Sequence, residues 1–186
     1  MRSLPLLVVA VALAAGCGAS GAGIGEPVDR LTAAPSRLAP PSNLPPLDLT
    51  AAGNAPCSLM TETIRDEFGL VGRGIEDQNG VTGPDCSFTE NPITDPVIVV
   101  GINTKSQDLE GLYARRENFT SFEPLTVLGY PALALQQDAG GCGVVVGVAE
   151  DELTSVDVRA GSSPSTARSV CDLAISLSSA IIADLG

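Results

Sequence analysis

Apolar and polar positions follow several distinct patterns along this chain, and the points where one gives way to the next divide it. An apolar run extends from Leu4 to Ala15. From Gly18 to about Pro46 no period holds, and Gly, Ala, Ser and Pro dominate, with Pro27, Pro35, Pro40, Pro41, Pro45 and Pro46. That stretch lacks the apolar surface to offset its chain entropy and predicts a flexible, partly extended tether. Periodic patterning begins near Leu47. Met60, Ile64 and Phe68 recur every four residues after Pro56, which predicts a helix with Cys57 near its start, ended by Gly69. Gly72 to Pro84 clusters Gly, Asn and Asp and predicts a loop. Cys86 to Thr89 alternates as a short strand, and Val97 to Ile102 is a β-branched one. A second helix is expected over Gln107 to Phe119, with Leu109, Leu112, Tyr113 and Arg116 on one side. Strands Leu125 to Leu128 and Ala132 to Gln136 flank a turn at Gly129-Tyr130-Pro131. Gly143 to Ala149 and Thr154 to Arg159 form a hairpin joined through Glu150-Asp151-Glu152. The last helix starts at Pro164 with Ser163 as its cap and carries Val170, Cys171, Ala174, Leu177, Ile181 and Ile182 toward a core.

Helix, strands, helix, strands, helix is the order of an α+β domain, with an antiparallel β-sheet and about three helices packed on one face. The expected organisation is residues 1–16 as a signal peptide, residues 17–46 as a tether and residues 47–186 as one α+β domain. Roughly 140 residues suffice for one adequate core.

Arg2 and the amino terminus, the apolar run and the small residues after it make a secretory signal. As a helix the run rises only about 18 Å, against a hydrocarbon core of about 30 Å, so it does not read as a permanent span. Ala14-Ala15-Gly16-Cys17 is similar to the Leu-Ala-Gly-Cys lipobox of bacterial lipoproteins, departing at Ala14, with Leu13 one place early. That resemblance implies a diacylglyceryl group on the Cys17 sulfur, palmitate-type acyl chains, and cleavage that makes Cys17 the first residue. Two acyl chains suffice for stable anchoring. The expected location is therefore the extracytoplasmic face of the cell membrane.

The formal net charge is −12, from 22 acidic and 10 basic residues. Anionic lipid and nucleic acid are repelled, and no nucleic-acid partner is expected. Aromatic residues make up 3% of the chain and tryptophan is absent, which removes the usual stacking platforms. Histidine is absent too, excluding a Ser-His-Asp triad, a Cys-His dyad and imidazole metal sites. Lys105 is the single lysine and stands in no Ser-x-x-Lys spacing. No cofactor and no metal are expected.

After Cys17 four cysteines remain, Cys57, Cys86, Cys142 and Cys171. An even count in an exported chain points to two disulfides, with three connectivities open. Cys57 with Cys86 and Cys142 with Cys171 are favoured, since each pairing clips a helix to a neighbouring strand. No Cys-x-x-Cys is present to suggest redox or zinc chemistry.

A lipobox, a Pro-rich tether, Pro56-Cys57-Ser58-Leu59-Met60 at a helix start, Asp85-Cys86-Ser87-Phe88 on a strand, and a late strand cysteine and helix cysteine together resemble actinobacterial lipoproteins of the domain-of-unknown-function 3558 family. Those proteins often carry Cys-x-Leu-Leu and Cys-x-Trp, where this chain has Met60 and Phe88. The turn Leu128-Gly129-Tyr130-Pro131-Ala132 is similar as well, and the resemblance covers about Leu47 to Gly186. It implies a cell-envelope lipoprotein and supplies no catalytic residue or ligand.

The remaining motifs read as local structure. Glu150-Asp151-Glu152 is a solvated hairpin tip before it is a calcium site, because consecutive side chains at a strand end diverge. Glu76-Asp77-Gln78-Asn79-Gly80 lacks the alternating acids of a calcium loop. Gly140-Gly141-Cys142-Gly143 precedes a strand and has no lysine, so it is a turn and not a phosphate cradle. Arg115-Arg116 belongs to a solvated helix face. Glu110 and Glu117 are nominal candidates for a carboxylate-pair hydrolase, with nothing around them to support the role. The expected function is thus a non-enzymatic, membrane-anchored binding or sensing module, with an apolar ligand or an envelope protein as partner. The alternative is an assembly or accessory factor that docks on another envelope protein.

Overall fold

The computed structural model describes residues 37–70, 72–89, 95–103, 108–137, 140–162 and 167–186. Gln107, the expected start of the second helix, lies outside these residues, and so do Ser163 and Pro164 at the expected start of the last one.

Among the described residues seven strands form one sheet: β1 (Ile75–Asp77), β2 (Asp85–Phe88), β3 (Val97–Asn103), β4 (Glu123–Val127), β5 (Tyr130–Gln137), β6 (Gly141–Gly147) and β7 (Leu153–Arg159). Their spatial order is β1-β2-β3-β7-β6-β5-β4, and every neighbouring pair is antiparallel. The helices are α1 (Thr50–Asn54), α2 (Glu62–Glu67), α3 (Leu109–Ala114) and α4 (Ala167–Leu185), with 3-10 turns at Pro56–Leu59 and Arg116–Asn118. The fold is α+β, as the pattern of periods implies.

Registry explains where the core sits. Ile98, Val100 and Ile102 of β3 stand opposite Val158, Val156 and Thr154 of β7, and Val156 and Thr154 stand opposite Val144 and Val146 of β6. With period-2 side chains these residues share one face. On it α4 lays Val170, Ala174, Leu177, Ile181 and Ile182 at helical spacing, all of them buried. Burying each such branched side chain stabilises the fold by about 1.5 to 3 kcal/mol.

Helices do not pack on that face alone. Leu133 and Leu153 occupy the alternate positions of β5 and β7, and they form a second cluster with Leu109 and Leu112 of α3 and with Ala39. Tyr113, Phe119 and Phe122 border it, the Tyr113 and Phe122 rings meeting edge to face at 5.0 Å. The one-face expectation is corrected because the sheet is apolar on both sides at this end, and only a second layer removes Leu133 and Leu153 from water.

Four local expectations shift. The helix expected from Pro56 to Gly69 is interrupted at Thr61, whose extended backbone (φ −57°, ψ 162°) and hydroxyl, accepting from the Ile64 amide, start α2 afresh. The helix expected over 107–119 is shorter. Asp108 caps α3 by accepting from the Gly111 amide at 2.7 Å, and after Ala114 the chain tightens into a 3-10 turn that leaves Arg116 exposed. The predicted loop over 72–84 holds β1, an exposed edge strand. The β4–β5 turn is Leu128-Gly129, so Tyr130 and Pro131 belong to β5; Val127 pairs with Tyr130, leaving a two-residue loop with positive φ at both positions (49° and 91°).

Packing also extends further toward the N-terminus than the pattern suggests. The compact unit runs Ser36–Gly186, and its described part starts ten residues before Leu47.

Candidate functional site

Residues 37–46, expected in the tether, lie as a strap along one end of the sheet. Four of them are prolines, so the segment offers few amide donors and does not extend the sheet. It is pinned at separate points. The Glu110 carboxylate, in the first turn of α3, accepts from the Leu38 amide at 2.7 Å and the Ala39 amide at 2.9 Å. Arg37 pairs with Glu150 of the β6–β7 loop at 2.7 Å, both side chains exposed. Tyr130, buried on β5, donates its hydroxyl to the Pro45 carbonyl at 2.8 Å. Where the strap ends, the Leu47 amide donates to the Val148 carbonyl at 3.1 Å.

Between strap and sheet end is an open cleft of about 450 Å³. Arg37, Ala39, Pro40, Pro41, Ser42, Leu44 and Pro46 line one side. Leu109, Pro131, Gly147 and Val148 form the other, with Asp108, Glu110, Glu150 and Asp151 at its polar margin. Volumes of about 300 to 1,000 Å³ are usual for small-ligand sites. The lining mixes apolar surface with oxygen acceptors, and its one basic side chain, Arg37, is already paired with Glu150.

The electrostatics of Glu110 follow from its contacts. The Ala39 amide and then the Leu38 amide hold its carboxylate below the usual range, against opposing contributions from burial and from Asp108. A carboxylate so held is an acceptor and a poor proton donor. Glu117, the other nominal member of a hydrolase pair, is not in the cleft and sits beside Arg116 at 3.5 Å on the surface. The structure therefore does not bring the two carboxylates together in this cleft.

Other motifs are absorbed by local structure. Glu150-Asp151-Glu152 is a loop closed by the Val148 and Ala149 amides donating to the Glu152 carbonyl. In the 76–80 segment Asp77 accepts from the Asn79 amide at 2.8 Å, and Gln78 donates to the Asn54 carbonyl at 3.2 Å. Gly140, at φ 79°, turns the chain into β6. Arg115 donates to the Gly111 carbonyl at 3.0 Å. Among the described residues no three acidic or cysteine side chains converge to hold a metal ion, and no helix is long and apolar enough to cross a membrane. Cys17 and Lys105 lie outside the described residues.

Both disulfides have the pairing favoured from the sequence. Cys57, in the first 3-10 turn, is bonded to Cys86 of β2 with Cα atoms 4.9 Å apart, and Cys142 of β6 to Cys171 of α4 with Cα atoms 5.1 Å apart. Gly74 passes over the first bridge, where a Cβ would collide with both sulfurs and the Phe88 ring.

Sequence reasoning missed the strap. In the sequence Glu110 reads as a nominal hydrolase candidate and Tyr130 as a turn residue, whereas the structure sets them against Leu38 and Pro45 of the strap. The prolines that suggested a tether also restrict the free chain, which lowers the entropy cost of docking. That signal was present and pointed both ways.

Comparison with known proteins agrees with the sequence resemblance. No curated protein and no solved structure matches the chain. One family model matches residues 12–184, nearly the whole length and both disulfides. The chain thus belongs to the family described as protein of unknown function (DUF3558).

Proposed function

We propose that this protein is a cell-envelope lipoprotein anchored through acylated Cys17, and that its domain is a non-enzymatic binding module whose site is the cleft beneath the strap. The cleft carries this reading. Its walls combine Leu44, Leu109, Ala149 and several prolines with a margin of carboxylates. Such a lining suits a small ligand with an apolar body and hydrogen-bond donors, a more polar molecule than the purely apolar one expected from the sequence. The test is native mass spectrometry of the full-length protein extracted gently from its own membrane, beside an Ala149→Trp variant chosen to put a bulky ring where Ala149 lines the cleft. The expected result is an acylated chain beginning at Cys17 with a retained small molecule that the variant lacks. A chain without any retained molecule, or equal retention by the variant, overturns the assignment of the cleft.

A second reading, an accessory factor docking on another envelope protein, is favoured by Ile75 on the edge strand β1, 70% exposed, and Val81 nearby, 95% exposed. In the same experiment it would show as a co-purifying protein that is lost from an Ile75→Asp variant.

A further inference from the structure

The strap differs from the elements it rests on. Of residues 37–46 only Ala39 is buried; the rest are exposed. Among the described residues its attachments to the domain include the two amide bonds to Glu110, the exposed Arg37–Glu150 pair, the Tyr130 hydroxyl on Pro45, the insertion of Ala39 beside Leu109 and Leu112, and the Leu44 side chain over Gly129. Two of these contacts reach side chains of sheet strands, but none is a backbone pair of the sheet, whose neighbouring strands are joined without any residue of the strap. The strap also supplies nearly half of the residues that line the cleft. A wall contributed by a separately attached segment exists only while that segment is docked.

We infer that residues 37–46 are a displaceable strap and that its docking on Glu110 assembles the cleft, so that the binding site is switched by the chain that leads toward Cys17. The switching of a site rests on the binding reading; the displacement of the strap does not. Release removes one wall of the cleft and withdraws Ala39 from the smaller apolar cluster, while the larger cluster against α4 contains no strap residue; any molecule touching both walls holds the strap down. The linkage is reciprocal: a molecule that binds only the docked form shifts the strap toward docking by the same free energy that docking contributes to its binding. Bending or pulling of the chain at Arg37 and occupancy of the cleft therefore oppose each other.

Arg37-Leu38 is a tryptic bond, and in the docked strap the Leu38 amide is held by Glu110 and the Arg37 side chain by Glu150. Cleavage there requires an extended, released strap. The experiment follows tryptic cleavage after Arg37 in the full-length, disulfide-intact protein without added ligand, in wild type, Glu110→Gln and Glu110→Ala. Cleavage after Arg73, exposed in the 72–74 segment, is the internal reference. Glutamine keeps one acceptor oxygen and alanine none. The expected result is cleavage at Arg37 at least tenfold faster in Glu110→Ala, intermediate in Glu110→Gln, and unchanged at Arg73. Equal rates at Arg37 in all three proteins overturn the inference. Rates at Arg37 and Arg73 that rise together in both variants overturn it as well, since strap and domain would then open as one unit. Because no ligand is added, either failure leaves the binding reading standing, and failure to retain a molecule in the mass measurement leaves the strap result standing.

Discussion

The two disulfides allow a stability prediction that separates chain entropy from packing. Each closes a loop of the same sequence separation, 29 residues. The loop-closure relation gives about 3.6 kcal/mol at 25 °C for a loop of that size, so the two bridges contribute equally to the extent that they act on the unfolded chain. Replacing either pair, as Cys57→Ala with Cys86→Ala or as Cys142→Ala with Cys171→Ala, should remove about 3 to 4 kcal/mol through loop closure alone, which lowers Tm by about 10 °C for a domain of this size. The packing losses are matched as well, because each bridge joins one fully buried sulfur, Cys86 or Cys142, to a partly buried partner. Each truncation leaves a small cavity worth about 1 kcal/mol on top of the entropic loss. The two double variants are therefore expected to agree within about 1 kcal/mol. Equilibrium urea unfolding without reductant, followed by far-ultraviolet circular dichroism, measures both, and the slope should steepen slightly as the unfolded chain expands. A loss below about 1 kcal/mol in either variant would refute the entropic account. So would a difference above about 2 kcal/mol between them, which would place the stabilisation in the packing of α4 on β6 or of the 3-10 turn on β2.

Two other expectations follow from particular residues. Leu128 holds φ at 49° with its side chain 56% exposed, in a two-residue loop whose first central position favours asparagine. Leu128→Asn should raise stability by about 0.5 to 1 kcal/mol, read as a higher Tm, and a lower Tm would contradict the turn assignment. Docking of the strap should depend on acid pH. Contact with the Ala39 and Leu38 amides lowers the Glu110 pKa, so its contribution is complete above the ordinary glutamate value of about 4.3 and is lost as pH falls through its own lower value. Nuclear magnetic resonance of the Leu38 and Ala39 amides should show no titration above about pH 5 and a shift toward free-chain positions below the ordinary value, which Glu110→Gln abolishes. A midpoint above the ordinary value would contradict the assigned contacts.

What the sequence determined by itself was whatever depends on neighbours a few residues apart. The β-branched run of β3, the alternation in β6 and β7 and the spacing of Val170, Ala174, Leu177 and Ile181 each state their own period, and the periods imply an α+β sheet. The even number of cysteines after Cys17 implied two bridges, and the placement of each pair on a helix start or strand picked the partners. Alternation in β5 and β7 also puts Leu133 and Leu153 on the face opposite the valines and alanines that meet α4, so a second apolar face is legible there in the sequence. The turn moved by one residue because Leu128 adopts a conformation that its own side chain disfavours, a choice made by the register of the flanking strands. Only the tertiary structure could decide the strap. Glu110 stands 72 residues from Leu38, and Tyr130 stands 85 from Pro45. No local period records either contact. A proline-rich segment with little apolar surface remains a tether until the fold places a carboxylate and a hydroxyl where its few polar groups can meet them, and its low entropy when free then lets so few contacts hold it.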